Sequence, residues 1–168
     1  MAGLGSAKGS TEEAYAFQKF IRSALKTNNV DHCTRLCHAS SVAAMLEMLG
    51  NAGVSNQVED VALTEVIVVI GAKPTANHPV AATFMKNATK SGAKLVVIDP
   101  YKSDLTRHAD FFLQFRPDTD VLLMNSMMSV IIEENLHDEK FIKERTTDFL
   151  NLKEVVSKYS PESVSSTC

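Results

Sequence analysis

Two short unbroken apolar runs organise the middle of the chain. Val66-Ile67-Val68-Val69-Ile70 and Leu95-Val96-Val97-Ile98 are rich in β-branched residues, the pattern of parallel strands covered on both faces. The first ends at Gly71 and the second at Asp99-Pro100. Between them a loop from Ala72 to His78 leads to Pro79, a favoured first-turn residue. The spacing then predicts a helix to about Lys90, with Ala81, Phe84, Met85 and Ala88 inward and Gly92 closing it. Strand, helix and strand in this order predict a βαβ unit. Phe111 to Phe115 is a third strand candidate. Pro117-Asp118-Thr119 reads as a turn and cap, and a long apolar helix runs from Asp120 to Glu134. Helical patterns follow over 139–145 and 148–158, and Ser160-Pro161-Glu162 opens a further element.

The first third is more polar. Ser10 and Glu13 have capping-box spacing. They precede a helix over 12–26, with Ala14, Phe17, Ile21, Ala24 and Leu25 at helical spacing and Asn28-Asn29 at its end. Residues 30–39 are polar and carry Cys33 and Cys37. Ser40 or Ser41 can cap a helix from Val42 to Leu49 that is apolar nearly all round and so is expected to be buried. Gly50 stands where a C-terminal cap is needed.

Composition narrows the function classes. With 168 residues, 45% hydrophobic and 22% charged, the chain can build a real core. No apolar run reaches the roughly 18 residues of a membrane span, and MAGLGSAKGS lacks the apolar stretch of a secretory signal. A net charge of -3 and the absence of a Lys/Arg block argue against nucleic acid. Three cysteines make no disulfide framework and point to a reducing compartment.

In an open α/β sheet, ligands bind beyond the carboxyl ends of the strands. Asp99 lies at such an end. Its carboxylate can accept both hydroxyls of a ribose or cap its own loop. G-x-G-x-x-G is absent, since Gly71-Ala72-Lys73-Pro74 has a single glycine, so an ordinary NAD site is not expected. A phosphate could still sit on the helix start near Pro79. His78 can bond a ligand or merely close its loop. His32, Cys33, Cys37 and His38 admit three readings: a zinc site without the usual paired spacing, inert thiols, or a reactive Cys37 just before a helix cap with His38 beside it.

Several segments together resemble a known family. Val30-Asp31-His32-Cys33-Thr34-Arg35-Leu36-Cys37-His38-Ala39-Ser40-Ser41-Val42 is similar to the active-site segment of the molybdopterin-dependent formate dehydrogenase catalytic (alpha) subunit. So are Gly5-Ser6-Ala7-Lys8-Gly9-Ser10, Phe17-Gln18-Lys19-Phe20, the run Gly71 to Pro79 and the run Gly92 to Pro100. Arg107-His108-Ala109-Asp110, Arg116 to Asp120 and Val130 to Glu134 continue it, so the resemblance reaches to about Val164.

The resemblance implies an α/β fold: a Rossmann-like three-layer αβα arrangement with a mostly parallel sheet, plus helices belonging to neighbouring domains of a larger subunit. Residues 1–30 would belong to an adjoining domain, and 31–168 would form the α/β domain. It implies a molybdenum bis-molybdopterin guanine dinucleotide cofactor, with Cys37 as metal ligand and the catalytic pair Cys37 and His38. A soft thiolate suits a high-valent molybdenum–sulfur centre. Asp99 would hold a guanosine ribose. Gly71, Pro74, His78, Pro117, Thr119 and Asp120 would line the nucleotide pocket, and Gly5, Ser6 and Lys8 would touch the cofactor.

The substrate implied is formate, oxidised to carbon dioxide with two electrons passed to an iron–sulfur chain. The family's 4Fe-4S cluster would lie in an N-terminal part outside this sequence, since no cysteine here has its spacing. The remainder of the catalytic subunit and iron–sulfur or NAD-reducing electron-transfer subunits are the expected partners, without nucleic acid or a direct membrane span, in the cytoplasm. The start at Met1-Ala2-Gly3 and the stop at Cys168 then read as cuts through a larger subunit. A non-catalytic remnant, or a sister molybdopterin oxidoreductase with another substrate, are the alternatives. Three departures stand out: Lys73 where the family usually has Asn, Tyr101 where an Arg is usual, and Asp118 in place of a frequent Gly.

Overall fold

The computed structural model describes residues 1–168 and divides them into two compact units, Met1–Asn56 and Gln57–Cys168. The sequence reading instead places a boundary at 30/31, which concerns the neighbours of a larger subunit.

In the first unit β1 (Gly3–Gly5) precedes α1 (Thr11–Ser23), and β2 (Val30–His32) returns parallel to β1 with Gly3 opposite Val30 and Gly5 opposite His32. The capping box forms as expected. The Glu13 N–H donates to Ser10 Oγ at 3.2 Å, and the Ser10 N–H donates to Glu13 Oε2 at 2.7 Å. Ile21 is buried on β1. A Cβ on Gly3 would stand 2.7 Å from the Ile21 side chain, so only glycine lets strand and helix approach this closely. A one-turn helix α2 (Thr34–Cys37) and α3 (Ala39–Leu49) follow, and Gly50 closes α3 at φ +70°.

The polar segment 30–39 holds a strand, made by pairing across the unit, and a helical turn. Two expectations fail here. Ser40 and Ser41 do not cap α3 but lie within its first turn. Helix α3 is not buried: Leu46, Met48 and Leu49 are all exposed. Its main neighbour is the single turn α2, which offers no apolar surface large enough to cover it.

In the second unit a 3-10 turn (Val58–Leu63) leads into β3 (Val66–Ile70). The expected loop 72–78 contains a one-turn helix, α4 (Pro74–Asn77), because the Lys73 carbonyl accepts from the Ala76 and Asn77 N–H groups and Pro74 suits a first turn. Then come α5 (Pro79–Lys90), β4 (Lys94–Ile98), a 3-10 turn (Asp104–His108) and β5 (Phe111–Leu113). The sheet is wholly parallel in the order β3-β4-β5. Ile67, Val69, Leu95 and Val97 share one face and pack with Ala88 of α5 and Leu105, which forms the core.

Strand β3 is not covered on both faces. Val66, Val68 and Ile70 are exposed, as are Phe111 and Leu113 of β5, whereas Ile98 of the central strand is fully buried. On this face the central strand is the less exposed, with Val96 half-buried between Val68 and Phe111. Beyond β5, α6 (Asp120–Glu133), α7 (Glu139–Arg145), α8 (Phe149–Val156) and α9 (Pro161–Val164) complete the unit. Helix α6 packs on α8 and α9. The architecture is mixed α/β with parallel sheets, as expected. No helix is long and apolar enough to cross a membrane.

Candidate functional site

In the first unit, the loop after β1 is stapled to the segment after β2. The Cys33 N–H donates to the Gly5 carbonyl at 3.3 Å, and the Ala7 N–H donates to Cys33 Sγ at 3.1 Å. The Thr34 N–H donates to His32 Nδ1 at 3.2 Å, so the ring proton lies on Nε2 and is donated to the Ser6 carbonyl at 2.8 Å. Thr34 Oγ1 lies 2.8 Å from the same Nδ1. A Cβ on Gly5 would meet the His32 ring at 3.1 Å, so glycine suits this approach too.

Asp31 reinforces the segment. Its carboxylate accepts the His32 N–H at 2.8 Å and pairs with Arg35 at 3.1 Å. The His32 N–H first, and Arg35 second, hold its carboxyl below the usual carboxylate range. Lys8 is exposed, and its N–H donates to Ser6 Oγ at 3.1 Å. These bonds bring Gly5 and Ser6 against His32 and Cys33.

Cys37 and His38 are placed differently. Cys37 is the last residue of α2, and His38 both ends α2 and caps α3 with its backbone. Both are exposed, and neither the thiol nor the ring makes a hydrogen bond within the chain. The zinc reading of the four residues does not survive. Both nitrogens of His32 and the Cys33 sulfur are spent on the loop, and no three His, Cys, Asp or Glu side chains converge on a metal site.

In the second unit, Gly71, Pro74 and His78 line one groove of about 360 Å³ at the carboxyl end of β3, with Lys73, Asn77 and Met85. Gly71 takes φ +58°, and a Cβ there would meet nothing within 4 Å, so the chain turns sharply under open space. Its N–H donates to the Ile98 carbonyl at 2.9 Å, which ties the ends of β3 and β4 together.

Asp99 follows directly. One carboxylate oxygen accepts the Tyr101 N–H at 2.7 Å, while the other has no partner in the chain. The loop-capping reading is therefore realised with half of the carboxylate and leaves the other half free. The Asp99 N–H donates to the Leu113 carbonyl at 3.2 Å, and Gln114 donates to the Pro100 carbonyl at 2.9 Å. Pro117 is exposed on a turn where Asp118 takes φ +68°, a left-handed backbone that Asp tolerates better than most residues. Thr119 caps α6 with its backbone while its hydroxyl donates to the Arg116 carbonyl at 2.7 Å, and Asp120 begins the helix exposed.

Sequence reasoning missed one arrangement. Lys73 and Tyr101 face each other, with the ammonium 5.4 Å from the ring centroid. Each stands out singly in the sequence, but nothing in the spacing joins two loops separated by two helices and a strand.

Comparison with known proteins gives a consistent picture. The family model for molybdopterin oxidoreductases matches residues 1–158. The F420-dependent formate dehydrogenase subunit alpha of Methanocaldococcus jannaschii is 44% identical over 165 residues, 98% of this chain and 24% of the relative. Formate dehydrogenase H of Escherichia coli is 40% identical over 161 residues, 95% of this chain and 22% of the relative. Among solved structures, acetylene hydratase from Pelobacter acetylenicus superposes with a TM-score of 0.67 at 27% identity, covering 97% of this chain and 22% of that one. The chain thus spans about a quarter of the length of the curated relatives it matches.

Proposed function

The chain belongs to the molybdopterin oxidoreductase family, and from that premise we propose that it carries the metal-ligand segment and nucleotide-binding loops of a formate dehydrogenase catalytic subunit. The observation that carries this reading is the division of labour at 32–38. His32 and Cys33 are consumed by the fold, whereas the adjacent Cys37 and His38 are both exposed and unpartnered.

The residues present fit the cofactor. Cys37 offers one soft sulfur donor, and no set of three protein donors competes for a metal. The cofactor would therefore supply the remaining metal ligands. When bound, it supplies a two-electron acceptor for formate, which leaves as carbon dioxide. Cys37 would hold the metal as its thiolate, which coordination keeps deprotonated. His38 would orient the formate carboxylate and hold the proton released. The free Asp99 oxygen would accept ribose hydroxyls of a guanine dinucleotide arm. Gly71, Pro74, His78, Pro117, Thr119 and Asp120 would line that arm, with Gly5, Ser6 and Lys8 at the cofactor. A 4Fe-4S cluster, the remainder of a catalytic subunit and iron–sulfur or NAD-reducing subunits would carry the electrons on, in the cytoplasm.

The parallel sheet itself does not select the reaction, because a protein named as a hydratase of acetylene shares it. Formate is favoured by the relatives' names and by the Cys-His pair. The test is metal and pterin analysis of the purified chain, alone and assembled with the remaining parts of a formate dehydrogenase catalytic subunit, followed by a formate oxidation assay. The expected result is molybdenum, pterin and formate-dependent dye reduction in the assembly. No molybdenum in either preparation would sink the proposal.

A further inference from the structure

Cys33 and Cys37 are free, exposed thiols one helical turn apart. Cys33 precedes α2 in the right-handed helical conformation, at φ -59° and ψ -23°, and Cys37 ends that helix. The Cys37 N–H donates to the Cys33 carbonyl at 3.0 Å, which closes the turn and sets the two Cα atoms about 6 Å apart. A disulfide spans Cα separations of about 4.4–6.8 Å. Side chains so placed have Cβ atoms about 5–6 Å apart and must draw in by about 1–2 Å to reach disulfide spacing. Helix α2 has only four residues and breaks at His38, at φ -147°, so a single turn has to give. Leu36 within it is 94% exposed and does not pin it. Cys33 Sγ accepts the Ala7 N–H at 3.1 Å, but sulfur is a weak acceptor, so turning it toward Cys37 costs little. These are the two cysteines of their unit; Cys168 lies in the other, half-buried, with its thiol donating to the Thr119 carbonyl at 3.7 Å.

We propose that Cys33 and Cys37 form a reversible modification site, joined into a disulfide by a hydroperoxide. Cys37, exposed and without a partner, reacts first. Its sulfur attacks the peroxide: an S–O bond forms, the O–O bond breaks, and water or an alcohol leaves. Cys33 then attacks the resulting sulfenic acid. The S–S bond forms, the S–O bond breaks, and hydroxide leaves as water with the Cys33 proton. Two electrons have then passed from the two thiols to the peroxide. A dithiol reductant restores both thiols by exchange and is itself oxidised. The strain of drawing in the turn favours that return. Without Cys33 the sulfenic acid has no neighbouring thiol and goes on to sulfinic acid, which a thiol does not reverse. Cys33 thus keeps the Cys37 sulfur recoverable. On the reading of Cys37 as a metal ligand, on which this consequence rests, the bond withholds that sulfur from a metal until it is reduced.

The test treats the 168-residue chain with hydrogen peroxide, alkylates the remaining thiols in denaturant and reads the peptides by mass spectrometry. Trypsin cuts after Arg35, so Cys33 and Cys37 fall on separate peptides. The disulfide then shows as a linked pair that dithiothreitol separates. The expected result is that pair, formed to the same extent when the chain is diluted about tenfold, since closure lies within one chain, with Cys168 still alkylated. Cys33→Ser should show at least about fivefold more sulfinic acid at Cys37 after the same treatment. Serine keeps an acceptor for the Ala7 N–H, so the loop stays stapled in this variant. Three results would overturn the proposal: a Cys37 thiol that peroxide leaves untouched, equal sulfinic acid at Cys37 in both chains, or a disulfide formed only between two chains. The readout needs neither molybdenum nor formate. A linked pair with no molybdenum in any assembly would support this proposal and refute the functional reading alone. No linked pair, with molybdenum held by Cys37 in the assembly, would refute this one alone.

Discussion

His32 and His38 show how two copies of one residue can be given opposite tasks by their neighbours. His32 is held at both nitrogens, by Ser6 on one side and Thr34 on the other, and its bonds fix the loop after β1. His38 has no partner and faces solvent. The resemblance marked Cys37 and His38 directly. The structural work of His32 and Cys33 was not legible, because it depends on Ser6 and Ala7, 26 residues upstream. Gly71 is a simpler case. Its φ of +58° is one that an L side chain adopts at a cost, while the space around it is open. Gly71→Ala should therefore lose about 1 kcal/mol from backbone strain alone, without a steric clash. A urea denaturation curve checks this, with a lower midpoint at unchanged slope as the expected outcome.

At the scale of elements, the strongly patterned segments were legible and the short or mixed ones were not. Strand β4, helix α5 and the capped start of α1 follow directly from apolar runs, Pro79 and Ser10. Strands β1 and β2 have three residues each and exist through their pairing, so no local period announces them. Helix α6 misleads in another way. Its buried stripe is Ser126, Ser129 and Ile132, whereas Met124 is exposed, since small residues let α8 and α9 come close.

The start of β5 depends on Asp110. One of its oxygens pairs with Lys94 at 2.8 Å, and the other accepts the Leu95 N–H at 2.9 Å. Lys94 first, and the Leu95 N–H second, hold its carboxyl below the usual range. A carboxyl depressed in the folded state adds stability above its unfolded value and loses it as pH falls through the folded value. Asp110→Asn should therefore be less stable than the unaltered chain near neutral pH. The gap should narrow as pH falls through and below the usual carboxylate range, followed by denaturation midpoints measured at successively lower pH.

The whole molecule is best understood through the surfaces it leaves apolar. Val66, Val68 and Ile70 on β3, Phe111 and Leu113 on β5, and Leu46, Met48 and Leu49 on α3 are all exposed. Sequence alone reads those of β3 and α3 as core, because periodicity reports that a surface is apolar and not what stands against it. Alternation along β3 divides such residues sharply. Val69→Ala, in the buried face, should cost about 2 kcal/mol in a denaturation experiment. Val68→Thr, on the open face, should change stability by less than about 0.5 kcal/mol and reduce binding of an apolar dye. The chain spans about a quarter of its relatives' length, so the central claim concerns one atom rather than a complete enzyme: the Cys37 sulfur as a metal ligand. The most direct measurement is molybdenum X-ray absorption on the assembled subunit, comparing the unaltered chain with Cys37→Ser and Cys33→Ser. The account predicts one sulfur ligand fewer in Cys37→Ser and an unchanged sulfur count in Cys33→Ser. An unchanged sulfur shell in Cys37→Ser, or an equal loss in both variants, would contradict it.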